Sequence, residues 1–271
     1  MRHWKSLVAK PLEELCLRLE KTAALLPVRF DPESVHSARK DSRRLRLVIR
    51  LLKGILPREQ KQWRNTLREF RCELAETRDA DVQIAFLNSL ENPPAGSSPE
   101  SLDLFKRYLE GVRQDSTEKL KYASISLVSS GLLSRIPETL QWVLGEIPDS
   151  QAHSERVRRD IVLGGVSMVN TLEERSPVLF PGGNANTFHT VRKAARKLRY
   201  SLEYLNSLFP GPLEGYIEQV RALQQHLGRA HDAAVMAGTI AEVPKITPGL
   251  MVLREDREDR ARARARLTRK R

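Results

Sequence analysis

Cysteine is nearly missing from this chain: Cys16 and Cys72 are the only two in 271 residues. That is too few, and too far apart, for a disulfide framework or a zinc-binding cluster, so a reduced intracellular setting is expected. Aromatic residues make up only 6%, which leaves little for a platform on which single-stranded bases could stack. No stretch approaches the roughly 18 apolar residues of a membrane span, and the first ten residues lack an apolar core of signal-peptide length. A cytoplasmic protein with no membrane partner follows. No phosphate-binding glycine loop, HExxH or GxSxG pattern is found, and Gly182 and Gly183 have no lysine after them, so they read as loop. Alternating runs of the strand type are scarce as well.

What the chain does have is positive charge. Lys and Arg outnumber Asp and Glu by 46 to 34, a formal net charge of +12, which favours a polyanionic partner such as nucleic acid, an acidic membrane or a phosphate polymer. With 40% hydrophobic residues the chain can still bury one large core or two small ones. Apolar residues recur at three- and four-residue spacing almost throughout, which predicts an all-α protein. Helices are expected over residues 11–26, with Leu12, Leu15, Leu19 and Leu26 on one stripe, then 34–56 up to Pro57, 58–90, 101–130 and 134–144. A break at 92–96 is rich in proline. The second half should hold helices over 152–174, where Gly164 and Gly165 weaken the preference, then 187–208 and 212–242 after a loop at 177–186. Thr247 and Pro248 suit the start of a last helix. From Arg254 onward the residues are nearly all charged, ending in an arginine-rich tail that reads as a solvated basic arm.

One basic pattern occurs twice. His36, Arg39, Lys40, Arg43, Arg44, Leu45 and Arg46 are repeated as His189, Arg192, Lys193, Arg196, Lys197, Leu198 and Arg199, at a constant offset of 153 residues. Pro57 and Pro210, Trp63 and Tyr216, Leu74 and Leu227, Asp79 and Asp232, and Val82 and Val235 keep the same offset. A repeat this long holds a helical bundle in each copy. The expected architecture is therefore two antiparallel helical bundles of about four helices each, related by internal pseudo-twofold symmetry: residues 1–150, residues 151–246, and a charged terminal segment at 247–271.

On a helix at 100° per residue, His36, Arg39, Lys40, Arg43, Arg46 and Arg50 share one face, while Ala38, Leu45, Val48, Ile49 and Leu52 gather opposite. Arg44 falls off the row. From Arg39 to Lys53 the only acid is Asp41, so the cations lack the i,i+4 acids that usually accompany an exposed helix. A cation at every turn repeats about every 5.4 Å, which suits a linear polyanion better than a small metabolite. A single basic helix could be no more than a solvated face, but self-repulsion repeated at matching positions is a cost that folding does not require. Arg78, Asp79 and Asp81 are matched by His231, Asp232 and Ala234. Asp79 and Asp232 read as supports that orient a nearby Arg or His; metal ligation by Asp79 and Asp81 is disfavoured, because residues two apart on a helix diverge. His36 and His189 have no His or Cys at metal spacing, and His226 and His231 are five apart, so anion contact or packing at a helix start is the better reading.

Taken together, the paired runs from His36 to Arg46 and from His189 to Tyr200, with Arg78-Asp79-x-Asp81-Val82 and Leu227-Gly228-x-x-x-Asp232, resemble the CHAD family of histidine-containing α-helical domains over nearly the whole chain. The resemblance implies two helical bundles whose basic helices line a central groove that binds inorganic polyphosphate. It implies no catalysis and no cofactor. Carried over by position, the phosphate contacts would be Arg39, Lys40, Arg43, Arg44, Arg46, Arg50, Arg78, Arg192, Lys193, Arg196, Lys197 and Arg199, with His36 and His189 at the ends of the rows and Asp79, Asp232 and His231 in support. Glu203 stands where the first copy has Arg50, so the second row could be shorter or internally paired. No room for a triphosphate-cleaving domain is expected beside the two repeats, so association with polyphosphate granules, or with a separate polyphosphate-metabolising enzyme, is the expectation.

The main alternative is a DNA- or RNA-binding protein using the same helices. Few Asn or Gln residues lie on them to read adenine, which counts against it. An enzyme acting on phosphoanhydrides would need placed carboxylates and a metal, which the repeated motif does not offer.

Overall fold

The computed structural model describes residues 3–90, 98–176, 185–209, 211–230 and 232–241. These are almost entirely α-helical, with no strand among the described residues: α1 (His3–Leu25), α2 (Pro32–Leu51), α3 (Gln60–Asn88), α4 (Pro99–Ser129), α5 (Leu132–Glu146), α6 (Gln151–Arg175) and α7 (Ala185–Leu208). Residues 214–230 and 232–241 are helical too. The expected break at 92–96, most of the loop at 177–186, His231, the last helix and the arginine-rich tail lie outside the described residues. The chain divides into two compact units, residues 1–75 with 118–232, and residues 76–117 with 233–271.

In the first unit, α1 packs on α2 and α5, α6 packs on α7, and α7 also touches α1 and α2. The apolar stripes meet as their spacing requires. Leu12 and Leu19 of α1 and Leu45 and Ile49 of α2 are fully buried in one cluster with Leu26 and Leu52, each side chain contributing about 1.5–3 kcal/mol relative to exposure. Cys16 belongs to the same cluster, and burial, with Glu20 and Glu13 nearby, pushes its thiol up to about 12. It therefore behaves as a small apolar residue.

Two helix boundaries differ from the spacing-based expectation by five residues or more. α1 begins at His3 rather than Pro11, which lies inside it. The missing proline N–H costs about 3 kcal/mol in a helix interior, but Trp4 and Val8 are both buried in the core, and the Tyr204 hydroxyl donates to the Val8 carbonyl at 3.1 Å. Burial on that scale outweighs the lost hydrogen bond. At the other boundary, α2 ends at Leu51 instead of running to Leu56. Residues 52–56 form a tight turn in which the N–H groups of Ile55 and Leu56 both donate to the Leu52 carbonyl, so Leu52 and Leu56 are buried before Pro57 is reached. The start of α2 is fixed by Asp31, an N-cap that accepts from the Ser34 N–H at 2.9 Å, with Pro32 in the first turn.

Gly164 and Gly165, unfavourable by helix propensity, are explained by packing. A Cβ on Gly165 would stand 2.6 Å from Leu205 Cδ1 of α7, and one on Gly164 would stand 3.1 Å from Leu51 Cδ2 of α2. The pair lets α6 approach both basic helices closely. In the second unit a smaller cluster joins Leu87, Leu102, Phe105 and Leu109, and the Thr77 hydroxyl donates to the Ser116 carbonyl at 3.3 Å.

Gly165→Leu is expected to lower the thermal midpoint substantially, since forcing methylenes into a packed contact costs about 1–3 kcal/mol. Gly111→Leu, where a Cβ would meet nothing within 4 Å, is the control, and equal effects in a thermal melt would refute the close-packing account.

Candidate anion-binding site

α2 and α7 carry the repeated rows, and both lie in the first unit. The opposite faces are held down in parallel fashion: Ala38 and Val191, Leu45 and Leu198, and Leu52 and Leu205 are repeat counterparts and all are buried. Leu47 and its counterpart Tyr200 are also buried, although the helical angle places Leu47 among the arginines. The basic faces are accordingly not free surfaces. Arg39, Lys40, Arg43, Arg46, Arg192 and Arg196 are only partly exposed, whereas Arg50, Lys193 and Lys197 reach solvent.

The two rows converge. Arg43 lies within electrostatic reach of Arg39, Arg196 and Arg71, and desolvation with these like charges pushes its guanidinium down to about 9. Desolvation, then Arg192, together with Arg39 and Arg199, brings Arg196 down to about 10. Lys197 is lowered by burial and by Arg50, Arg175, Arg46 and Lys193. At neutral pH the two guanidinium groups stay protonated, so proton loss cannot relieve the repulsion; a counter-charge can. No ion pair of Arg43 or Arg196 occurs among the described residues.

The single acid of the α2 row points elsewhere. Asp41 is buried and accepts from Arg18 Nε of α1 at 3.3 Å, which pins α2 to α1 without neutralising the cations. Arg44 and Arg199 are used differently from their neighbours. Glu203 takes Arg44 at 2.8 Å and stands 3.7 Å from Arg199 Nε, and both guanidinium groups lie over the Tyr200 ring, at 5.1 and 4.8 Å from its centroid. This knot of two arginines, a ring and a carboxylate ties α2 to α7. A carboxylate thus already occupies the place beside these two arginines.

The supporting residues divide in the same way. Asp232 stands 3.9 Å from Arg192 and is largely exposed, a loose contact. Asp81 is buried and accepts from Arg113 Nε at 2.5 Å, so its carboxylate is engaged within the second unit. Arg78 and Asp79 belong to that second unit, His36 is exposed on α2, and His189 is half-buried on α7. No group of three or more His, Cys, Asp or Glu side chains is placed to hold a metal among the described residues. None of their helices is long and apolar enough to cross a membrane.

Four cations near the rows are not part of the repeated motif: Arg64, Arg68 and Arg71 of α3, which act on Arg46, and Arg175 of α6, which acts on Lys197. The Nε atoms of Arg64, Arg71, Arg192 and Arg199 are buried without a hydrogen-bond partner among the described residues. Spacing on α3 shows that Arg64, Arg68 and Arg71 share a face, but only the fold shows what that face adjoins. Exposed Arg50 also borders a cleft of about 400 Å³ between α2 and α6, beside Lys53 and Asp160.

Fold and site together define an all-α domain built around a doubled cationic helix. The CHAD domain family profile matches residues 14–241, and the chain belongs to that family. Among solved structures, the CHAD domain from the plant Ricinus communis is similar with a TM-score of 0.68 at 20% identity, over 96% of this chain and 90% of that one. PptA from Streptomyces chartreusis is similar with a TM-score of 0.61 at 18% identity, over 96% and 95%. At these identities the likeness concerns the fold. A comparison with curated protein sequences gave no match.

Arg43→Met removes one guanidinium from the convergence and keeps an unbranched stem. The expected outcome is a higher thermal midpoint at low salt without polyanion, and a smaller rise when a polyanion is added. A midpoint that falls or stays put would show that the converged charges carry no such cost.

Proposed function

We propose that this protein binds inorganic polyphosphate, without cleaving it, in a basic groove between α2 and α7. The observation that carries the reading is the approach of Arg43 to Arg196, each without an acidic partner among the described residues, while the acids Asp41, Asp81 and Glu203 are paired with Arg18, Arg113 and Arg44. Membership of the CHAD family supports it, through the polyphosphate binding that the sequence resemblance implies. The contacts would be the rows from Arg39 to Arg50 and from Arg192 to Lys197, with Arg44 and Arg199 framing the groove. A linear polymer of charged phosphates supplies bidentate acceptors at short intervals along such rows.

The pseudo-twofold relation between the halves belongs to the same proposal. Arg43 and Arg196 are counterparts at the 153-residue offset, so a twofold relation would put their approach on its axis. The Arg44–Glu203 pair maps onto Lys197 and Arg50, and those two are also within electrostatic reach. A twofold exchange of α2 and α7 accounts for both relations. The protein would then act in the cytoplasm as a receptor for polyphosphate, at granules or beside a separate polyphosphate-metabolising enzyme.

Titration with long-chain polyphosphate at near-physiological salt, with duplex DNA and RNA of matched charge as competitors, tests the reading. Tight binding that nucleic acid fails to displace is expected, with no orthophosphate released when magnesium is added. Arg43→Glu combined with Arg196→Glu should weaken binding about a hundredfold or more, as two charged hydrogen-bonding groups are each worth about 1.5–3 kcal/mol. Nucleic acid binding as tightly as polyphosphate would favour a nucleic-acid function instead.

A further inference from the structure

The two halves are not electrostatically equal beyond the repeated motif. In the first, Arg46 Nε donates to the Arg64 carbonyl at 3.0 Å, so the basic face of α2 abuts the start of α3. Arg64, Arg68 and Arg71 are spaced by four and three residues and share one face there. The acids of that stretch, Glu69 and Glu73, project at roughly 140° and 180° from Arg64 at 100° per residue. Arg68 is exposed, and Arg64 and Arg71 have buried Nε atoms with no hydrogen-bond partner among the described residues. These three act as like charges on Arg46.

At the corresponding places the second half has Ile217, Arg221 and Gln224. Arg221 is paired with Glu218, and position 218 corresponds to uncharged Asn65 in the first half. Glu203, the counterpart of Arg50, closes the same half with a carboxylate. Cationic surface therefore continues past α2 on one side and is interrupted by acids on the other.

We infer that the anion track is one-sided: from the crossing of α2 and α7 it passes over Arg46 and continues along Arg64, Arg68 and Arg71. From Arg71, which is within electrostatic reach of Arg43, the row leads about 10 Å along α3 to Arg64 at 1.5 Å per residue, so its far end lies beyond a short oligophosphate seated at the crossing. The ligand class is a long, linear, flexible phosphate polymer, and the α3 row selects for length. This inference rests on the polyphosphate reading and deepens it.

The test is equilibrium binding of the full chain to tripolyphosphate and to long-chain polyphosphate across a salt series. The triple variant Arg64→Gln, Arg68→Gln, Arg71→Gln is compared with a charge-matched triple at exposed Lys10, Lys21 and Arg156. Removing the α3 row should weaken long-chain binding about tenfold or more and flatten the slope of log affinity against log salt by about 2, at roughly 0.7 per lost contact. Tripolyphosphate binding should weaken much less, because of the three only Arg71 lies within electrostatic reach of Arg43 at the crossing. Arg68→Gln alone, at an exposed position that threatens no packing, should flatten the slope by about 0.7. If the α3 triple matches the control triple, or if both ligands weaken equally, the one-sided track is wrong while polyphosphate binding stands. A wild-type protein that binds neither phosphate overturns the functional reading, and this inference with it.

Discussion

Everything in the site follows from one electrostatic conflict: two helices of like charge are packed so that their cationic faces converge. Apolar burial on the far faces holds them there, through Leu45 and Ile49 of α2 and Leu198 and Leu205 of α7. The Arg44–Glu203–Tyr200–Arg199 knot adds a local attractive contact across the same gap. Repulsion between charges in a partly desolvated site is far stronger than in open water. In the proposed reading a bound polyanion supplies the missing counter-charge.

The arrangement also separates charges that stabilise from charges that stay available. Asp41 lies within the basic sequence yet bonds to Arg18 on α1, and Glu203 is confined to one end of the convergence. Neutralising acids are thus present, but they bond away from the centre. Were Asp41 directed toward Arg43, the same composition would give an ordinary ion-paired helix contact. Side-chain direction, not net charge, leaves these cations available for the proposed anion.

Much of this was legible in the sequence because helical periodicity reports which residues are buried. The stripe from Leu12 to Leu26 and the apolar face of residues 34–52 lie where their spacing placed them, and the doubled motif falls on two helices of the first unit, α2 and α7. The exceptions have physical causes. Pro11 read as a helix start because local preference says so, but Trp4 and Val8 gain enough burial to carry the helix back to His3. Arg44 stood off the row by its helical angle and Glu203 stood out as a possible internal partner, but nothing local announces that Arg44 of α2 meets Glu203 of α7. Arg64, Arg68 and Arg71 were unremarkable in sequence, as only tertiary packing brings α3 against Arg46.

The glycine pair of α6 has a consequence for how a ligand would be received. With Leu205 seated against Gly165 and Leu51 against Gly164, α7 and α2 are each keyed to a notch in the same neighbour, so neither can slide lengthwise without lifting out of contact. If α2 and α7 receive a polymer as proposed, their rows act as a fixed ruler whose intervals are set before it arrives. A polymer meeting such a surface gives up its own conformational freedom while the protein gives up almost none, and selectivity falls to how well the chain's spacing and flexibility match marks that do not move.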